Sequence, residues 1–174
     1  MIYSRRQYLP DSCRRRLYFS LVNSRLLYGI QVYSETKKNI LDPLHISCNR
    51  VLRALQGVNR SYNVKRLYNN YDVLPVHLLG NLSICKLVYK CVSSSHNHIS
   101  SATCNLFRLN NANHAYATRL SSSNYLYKKS CKAFYSSYVN MGCTLWNQIP
   151  APIRNSPSAT IFASAYKKFL IDNW

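Results

Sequence analysis

The stretch Asp42-Pro43-Leu44-His45-Ile46-Ser47-Cys48-Asn49-Arg50-Val51-Leu52-Arg53-Ala54-Leu55-Gln56-Gly57 reads as one helix with its own start and stop. Aspartate is a good N-cap, and proline is welcome at the first helical position, where its missing N–H costs nothing. Leu44, Cys48, Val51 and Leu55 recur at steps of four, three and four, which places them on one buried stripe. Gly57 follows as the residue that ends the helix in a left-handed conformation. Arg50 and Arg53 fall on the opposite side, where a solvated face and a phosphate-contacting face are equally compatible with the pattern.

The same periodicity extends both ways. A short helix is expected over Val64–Tyr71, and Pro75 opens a longer one with Leu78, Leu82, Cys85, Tyr89 and Val92 as its stripe and Lys86 and Lys90 beside it. Towards the N-terminus, Pro10-Asp11-Ser12 offers caps for a helix that buries Leu17, Leu21, Val22, Leu26 and Tyr28. Arg14, Arg15 and Arg16 crowd its first turns. Cations oppose the positive end of a helix dipole at a cost of a few tenths to about 1 kcal/mol, so an external anion would relieve them.

From Ser93 to Asn124 the composition turns to Ser, Asn, His and Thr, and the apolar period fades. The division between subdomains is expected here, giving 1–92 and 93–174. Short extended pieces are expected near Tyr125–Tyr127 and Ala133–Tyr135, where aromatic and polar residues alternate. A helix over Val139–Gln148 should stop at Ile149-Pro150. A last helix, capped by Ser156 or Ser158, should bury Phe162, Ala165, Tyr166 and Phe169, with Lys167 and Lys168 outward. The fold class that results is mainly α with a minor β component.

Charge bounds the function. The 174 residues carry 23 Lys and Arg against 5 Asp and Glu, a formal charge of +18, which attracts polyanions and nucleic acid above all. A solubilising surface or an anionic membrane surface is the plainer alternative. No apolar run reaches the length of a membrane span, since Asn81 and Lys86 interrupt the longest candidate. Seven cysteines without an apolar leader after Met1-Ile2-Tyr3-Ser4-Arg5-Arg6 suit a reducing compartment, the nucleus or the cytoplasm. Asn59-Arg60-Ser61 and Asn81-Leu82-Ser83 are then chance matches to the glycosylation pattern.

Catalytic chemistry is thinly represented. Two-metal phosphoryl transfer needs converging carboxylates, whereas Asp11, Glu35, Asp42, Asp72 and Asp172 are isolated in sequence. Asp11 and Asp42 are better read as caps. Cys85, Cys91, His96, His98 and Cys104 are possible zinc ligands, yet a tight knuckle wants cysteines two to four residues apart and five residues intervene here. Cys85 is accounted for by the apolar stripe. Gly29, Gly57, Gly80 and Gly142 are scattered and form no phosphate cradle, so no cofactor is expected. Of the fifteen tyrosines, Tyr62, Tyr68 and Tyr71, beside Arg60, Lys65 and Arg66, are the best candidates for stacking on bases; Tyr28 and Tyr89 read as core.

Several strings add a resemblance. Leu9-Pro10, Leu17-Tyr18 and Leu26-Leu27-Tyr28-Gly29-Ile30 through Val32 come first, followed by Asn49-Arg50-Val51-Leu52-Arg53 and by Leu74-Pro75 through Tyr89. His114-Ala115-Tyr116-Ala117-Thr118-Arg119 and then Gly142, Leu145-Trp146-Asn147 and Pro150 complete the order. In this order they resemble the thumb and post-thumb region of a non-LTR (LINE-type, jockey-like) retrotransposon reverse transcriptase. The resemblance implies a helical thumb-type bundle followed by a small α-rich terminal subdomain, downstream of a catalytic palm that this chain does not contain. It implies a parent RNA-directed DNA polymerase that copies element RNA into DNA at a nicked target. The partners would be an RNA/DNA hybrid or DNA and the missing upstream polymerase core. Arg14, Arg15, Arg16, Arg50, Arg53, Lys65, Arg66 and Arg119 are the expected phosphate contacts. Trp146 and Gly142 are expected as a core anchor and its close-packing partner. His114, Tyr116 and Thr118 alternate, with Arg119 on the other side. The alternatives are a structural or degenerate fragment without independent activity, and a zinc-binding interaction module.

Overall fold

The structure, a computed structural model, describes residues 8–34, 36, 38–93, 100–107, 126 and 138–174. It is mainly helical, and β structure among the described residues is confined to an isolated bridge at Leu126. By contacts the chain divides into two compact units, 1–79 and 80–174.

In the N-terminal unit, α1 (Asp11–Tyr18) runs through a π-helical turn, Phe19–Asn23, into α2 (Ser24–Leu27). A left-handed Gly29 precedes α3 (Ile30–Tyr33). The long α4 (Lys38–Gln56) and the short α5 (Val64–Asn70) follow. Tyr18, Leu26, Ile30, Cys48, Leu52, Leu55, Leu67 and Tyr68 are buried. Each large apolar side chain taken out of water contributes about 1.5–3 kcal/mol. His45 stacks parallel on Tyr68, with ring centroids 5.9 Å apart.

Several expectations are corrected here. Pro10, not Asp11 or Ser12, is the N-cap of α1, its carbonyl accepting from Cys13 N and Arg14 N. Asp11 pairs instead with Arg14 at 2.9 Å. The helix expected to begin at Asp42-Pro43 begins at Lys38, so Pro43 lies inside it. Its missing N–H leaves the Asn39 carbonyl without a helical donor, and the exposure of Asn39 and Ile40 lets water serve instead. The stripe of α4 is Cys48, Leu52 and Leu55, while Val51 is largely exposed. Tyr28, expected in the core, is 88% exposed, and Leu21 is exposed too. Leu21 lies in the π turn, which breaks the α period, and Tyr28 is the extended residue just past the helix end, so neither follows the stripe.

Gly57 meets its expectation. At φ 73° it closes α4, with Gly57 N and Val58 N both bonded to the Arg53 carbonyl. Asn63 caps α5 through a 3.2 Å bond from Arg66 N.

The helix α6 (Val76–Val92) carries residues of both units, which the contacts divide between Leu79 and Gly80. The reason is packing: Ile84 and Val88 on α6 close around Gly142 of α8 (Tyr138–Gln148), and Tyr89 stacks on Phe162. Between them come α7 (Ser101–Cys104) and Phe107, and after α8 come α9 (Ala151–Arg154) and α10 (Ala159–Asp172). Gly142 is the close-approach position the sequence suggested. A Cβ there would lie 3.0 Å from Phe107 Cε1 and 3.1 Å from Val88 Cγ2. Trp146 is 1% exposed and tilts against Phe162, whose ring continues through Tyr166 to Phe169 in a stacked row. Ser158 caps α10, one of the two serines expected to.

Asn147 fastens the bridge residue Leu126 to α8. It accepts from Leu126 N at 2.9 Å and donates to the Leu126 carbonyl at 3.1 Å. Tyr125, Tyr127 and 133–135 lie outside the described residues.

Candidate nucleic-acid interface

The arginines divide into two groups. Arg14 turns inward: Nη1 donates to the Leu55 carbonyl at 3.1 Å and Nη2 meets Asp11 at 2.9 Å. Leu55 belongs to the last turn of α4, whose carbonyls lack helical donors, so a guanidinium there both caps the helix and complements its dipole. Arg15 donates through Nε to the Tyr71 carbonyl at 2.8 Å, approaches Asp72 at 3.5 Å and covers the Phe19 ring at 5.0 Å. Both side chains therefore pin α1 to its neighbours. They also compensate the two carboxylates nearest to them.

The second group faces solvent. Arg50 and Arg53 lie a helical turn apart on α4, and the Gly57 turn brings Arg60 back beside them. The three, with Ile46, Ala54 and Val58, line an open pocket of about 410 Å³. Arg53 Nε is buried and finds no hydrogen-bond acceptor among the described residues, so the side chain is only partly turned to the pocket. From the sequence Arg60 was not grouped with Arg50 and Arg53. Its signal is the glycine turn three residues earlier, which reverses the chain.

Two further hollows occupy this unit. One of about 450 Å³ is lined by Asp11, Ser12, Arg15, Gln56, Val58, Asn70 and Tyr71. Another, about 520 Å³, lies among Arg15, Arg16, Phe19 and Ser20. Arg16 is exposed, as are Lys65 and Arg66 in the first turn of α5, which line none of these three hollows. Arg119, with His114, Tyr116 and Thr118, lies outside the described residues.

The stacking candidates are corrected. Tyr68 is fully buried, Tyr71 is 4% exposed, and burial pushes both hydroxyls above their ordinary range. Both rings serve the core. Tyr62 is half-buried and accepts from Asn70 Nδ2 at 3.3 Å. The tyrosine rings that do reach solvent among the described residues are Tyr8 and Tyr28.

Cysteine chemistry is subdued. Cys85 is fully buried, and desolvation pushes its thiol up to about 12 despite a hydrogen bond with Tyr166. Burial, with Cys104 beside it, likewise pushes Cys91 up to about 12. Such thiols are protonated and poor ligands or nucleophiles at neutral pH. Among the described residues no three His, Cys, Asp or Glu gather as a metal site, and His96 and His98 lie outside them. Among the described residues no helix is long and apolar enough to cross a membrane. Compared with protein-family models, curated proteins and solved structures, the chain matches none of them.

Proposed function

We propose that the N-terminal unit holds nucleic acid, as the template-primer-gripping and non-catalytic part of an RNA-directed DNA polymerase of the LINE-type retrotransposon kind. The convergence of Arg50, Arg53 and Arg60 on one concave surface carries this reading. It gains weight because Asp11 and Asp72 are engaged by Arg14 and Arg15, and no carboxylate is among the described residues that line the pocket. An RNA/DNA hybrid or DNA is the partner, in the nucleus or cytoplasm, and nucleotidyl transfer belongs to the missing polymerase core.

Arg16, Arg50, Arg53, Arg60, Lys65 and Arg66 are the phosphate contacts on this reading. With roughly six phosphates neutralised, affinity for a hybrid duplex falls on the order of 10³-fold between about 50 and 200 mM salt. Fluorescence anisotropy measures it, and an affinity indifferent to salt refutes the proposal. Primer extension by the isolated chain should be absent.

A second reading is favoured by a different observation. Leu21, Leu27, Tyr28, Val32, Ile40 and Ile46 are exposed, all in the N-terminal unit. Apolar exposure of this kind suits a fragment whose surface another segment covers. Solubility rescued by co-expression with a polymerase core, without any affinity for oligonucleotides, would favour it over nucleic-acid binding.

A further inference from the structure

The three hollows described in the N-terminal unit share lining residues: Arg15 lines both the 520 and the 450 Å³ hollows, and Val58 lines both the 450 and the 410 Å³ hollows. Taken in that order, their ends differ from their middle. One end carries Arg15 and Arg16 beside the Phe19 ring; the other carries Arg50, Arg53 and Arg60. Between them the lining is largely uncharged and hydrogen-bonding: the amides of Gln56 and Asn70 and the hydroxyl of Ser12. The one carboxylate there, Asp11, is paired with Arg14 at 2.9 Å.

The amides are held in place. Gln56 Nε2 donates to the Leu67 carbonyl at 2.7 Å, and its Oε1 accepts from Asn70 Nδ2 at 3.1 Å. That arrangement fixes the Gln56 amide and leaves the exposed Asn70 carbonyl oxygen as an acceptor over the middle hollow.

We infer that these hollows together take an unpaired strand of nucleic acid, with phosphates at the two arginine ends and a base edge in the amide-lined middle. The inference rests on the nucleic-acid-holding reading and narrows it. A duplex turns its bases inward and offers phosphate ridges, which touch cationic rims but do not enter pockets. An unpaired strand can splay a base out, stack it on a ring or a guanidinium and present its pairing edge to amides. Fixed amides between cationic ends match the strand and are wasted on the duplex.

The test uses the full chain and one short mixed sequence in three forms: single-stranded DNA, single-stranded RNA and blunt RNA/DNA hybrid. By fluorescence anisotropy, one or both strands should bind on the order of tenfold tighter than the hybrid, the effect of a single stacked and recognised base. Asn70→Leu should remove most of that preference. Val58→Glu, which puts a carboxylate on the lining that two hollows share, should weaken the strands more than the hybrid. Arg66→Ala, outside the hollows, should weaken all three alike. Circular dichroism melts of each variant report its folding, and the unmodified chain alone decides the preference. A hybrid bound as tightly as either strand overturns this inference while the broader reading survives. No binding of any form overturns both.

Discussion

The two units are built from different adhesives. In the N-terminal unit, side chains reach across to backbone carbonyls: Arg14 to Leu55, Arg15 to Tyr71, Gln56 to Leu67. Beside a buried core it leaves several large apolar residues exposed, Leu27, Tyr28, Val32 and Ile40 among them. In the C-terminal unit, rings do the joining, with Tyr89, Trp146, Phe162 and Tyr166 in mutual contact and Gly142 admitting its neighbours to near contact distance. A unit held by polar staples can leave basic concavities open to a ligand. A unit held by stacked rings spends its surface on itself.

The contrast breaks most severely at the rings. Phe162→Ala removes the ring shared by Tyr89, Trp146 and Tyr166, and should cost the C-terminal unit about 3–5 kcal/mol. Denaturant titration followed by fluorescence of the buried Trp146 measures this, and a midpoint near that of the unmodified chain would mean the row is not the core.

Arg14→Met tests the staples. It keeps the aliphatic stem but loses a charged hydrogen bond to a carbonyl at a helix end, worth about 1.5–3 kcal/mol. The exposed half of its pairing with Asp11 adds little. The loss should appear in thermal melts of the N-terminal unit.

Arg60→Ala sharpens the division between the two kinds of arginine. Exposed and on a loop, it should change stability by no more than about 0.5 kcal/mol. It should reduce the salt slope of hybrid binding by about one. A stability loss as large as that of Arg14→Met would dissolve the distinction drawn between them.

The smallest effect is acid sensitivity. His45 stacks on Tyr68 near His77, and burial lowers its pKa, with Asp42 only partly offsetting this. The unfolded chain then binds a proton that the folded one resists, so stability falls as pH drops through and below about 6.5. His45→Gln should flatten this dependence in pH-resolved melts, and an unchanged slope would assign it to other groups.

Much of the helical architecture was legible because it is local. Gly57, Asn63, Pro75 and Ser158 mark helix ends by chemistry that acts within a few residues, and each is found at such an end. The Trp146 and Gly142 anchor was legible for a similar reason: a lone large ring and a helical glycine both imply a packed interior. The fate of the arginines was not legible. Arg14 and Arg15 find their acceptors 41 and 56 residues away, beyond any pattern a linear reading can hold. Tyr68 and Tyr71 misled because neighbouring cations suggested exposure, whereas the helix phase turned their rings inward. Asn147 gave no sign that its amide would pair with the backbone of Leu126.

The widened turn at Phe19–Asn23 acts as a phase shifter. In an unbroken α-helix Leu26 would point roughly 100° away from where one surplus residue lets it point, since each residue advances the helix by about that angle. The shift aligns Leu26 with Tyr18, so one rod offers a single continuous inner edge despite its length. Excising one residue between Phe19 and Asn23 would return the turn to ordinary α geometry with Leu26 still in phase with Tyr18, whereas inserting one would swing Leu26 roughly 100° towards water. The first helix thus tolerates the loss of one residue in that segment far better than the gain of one.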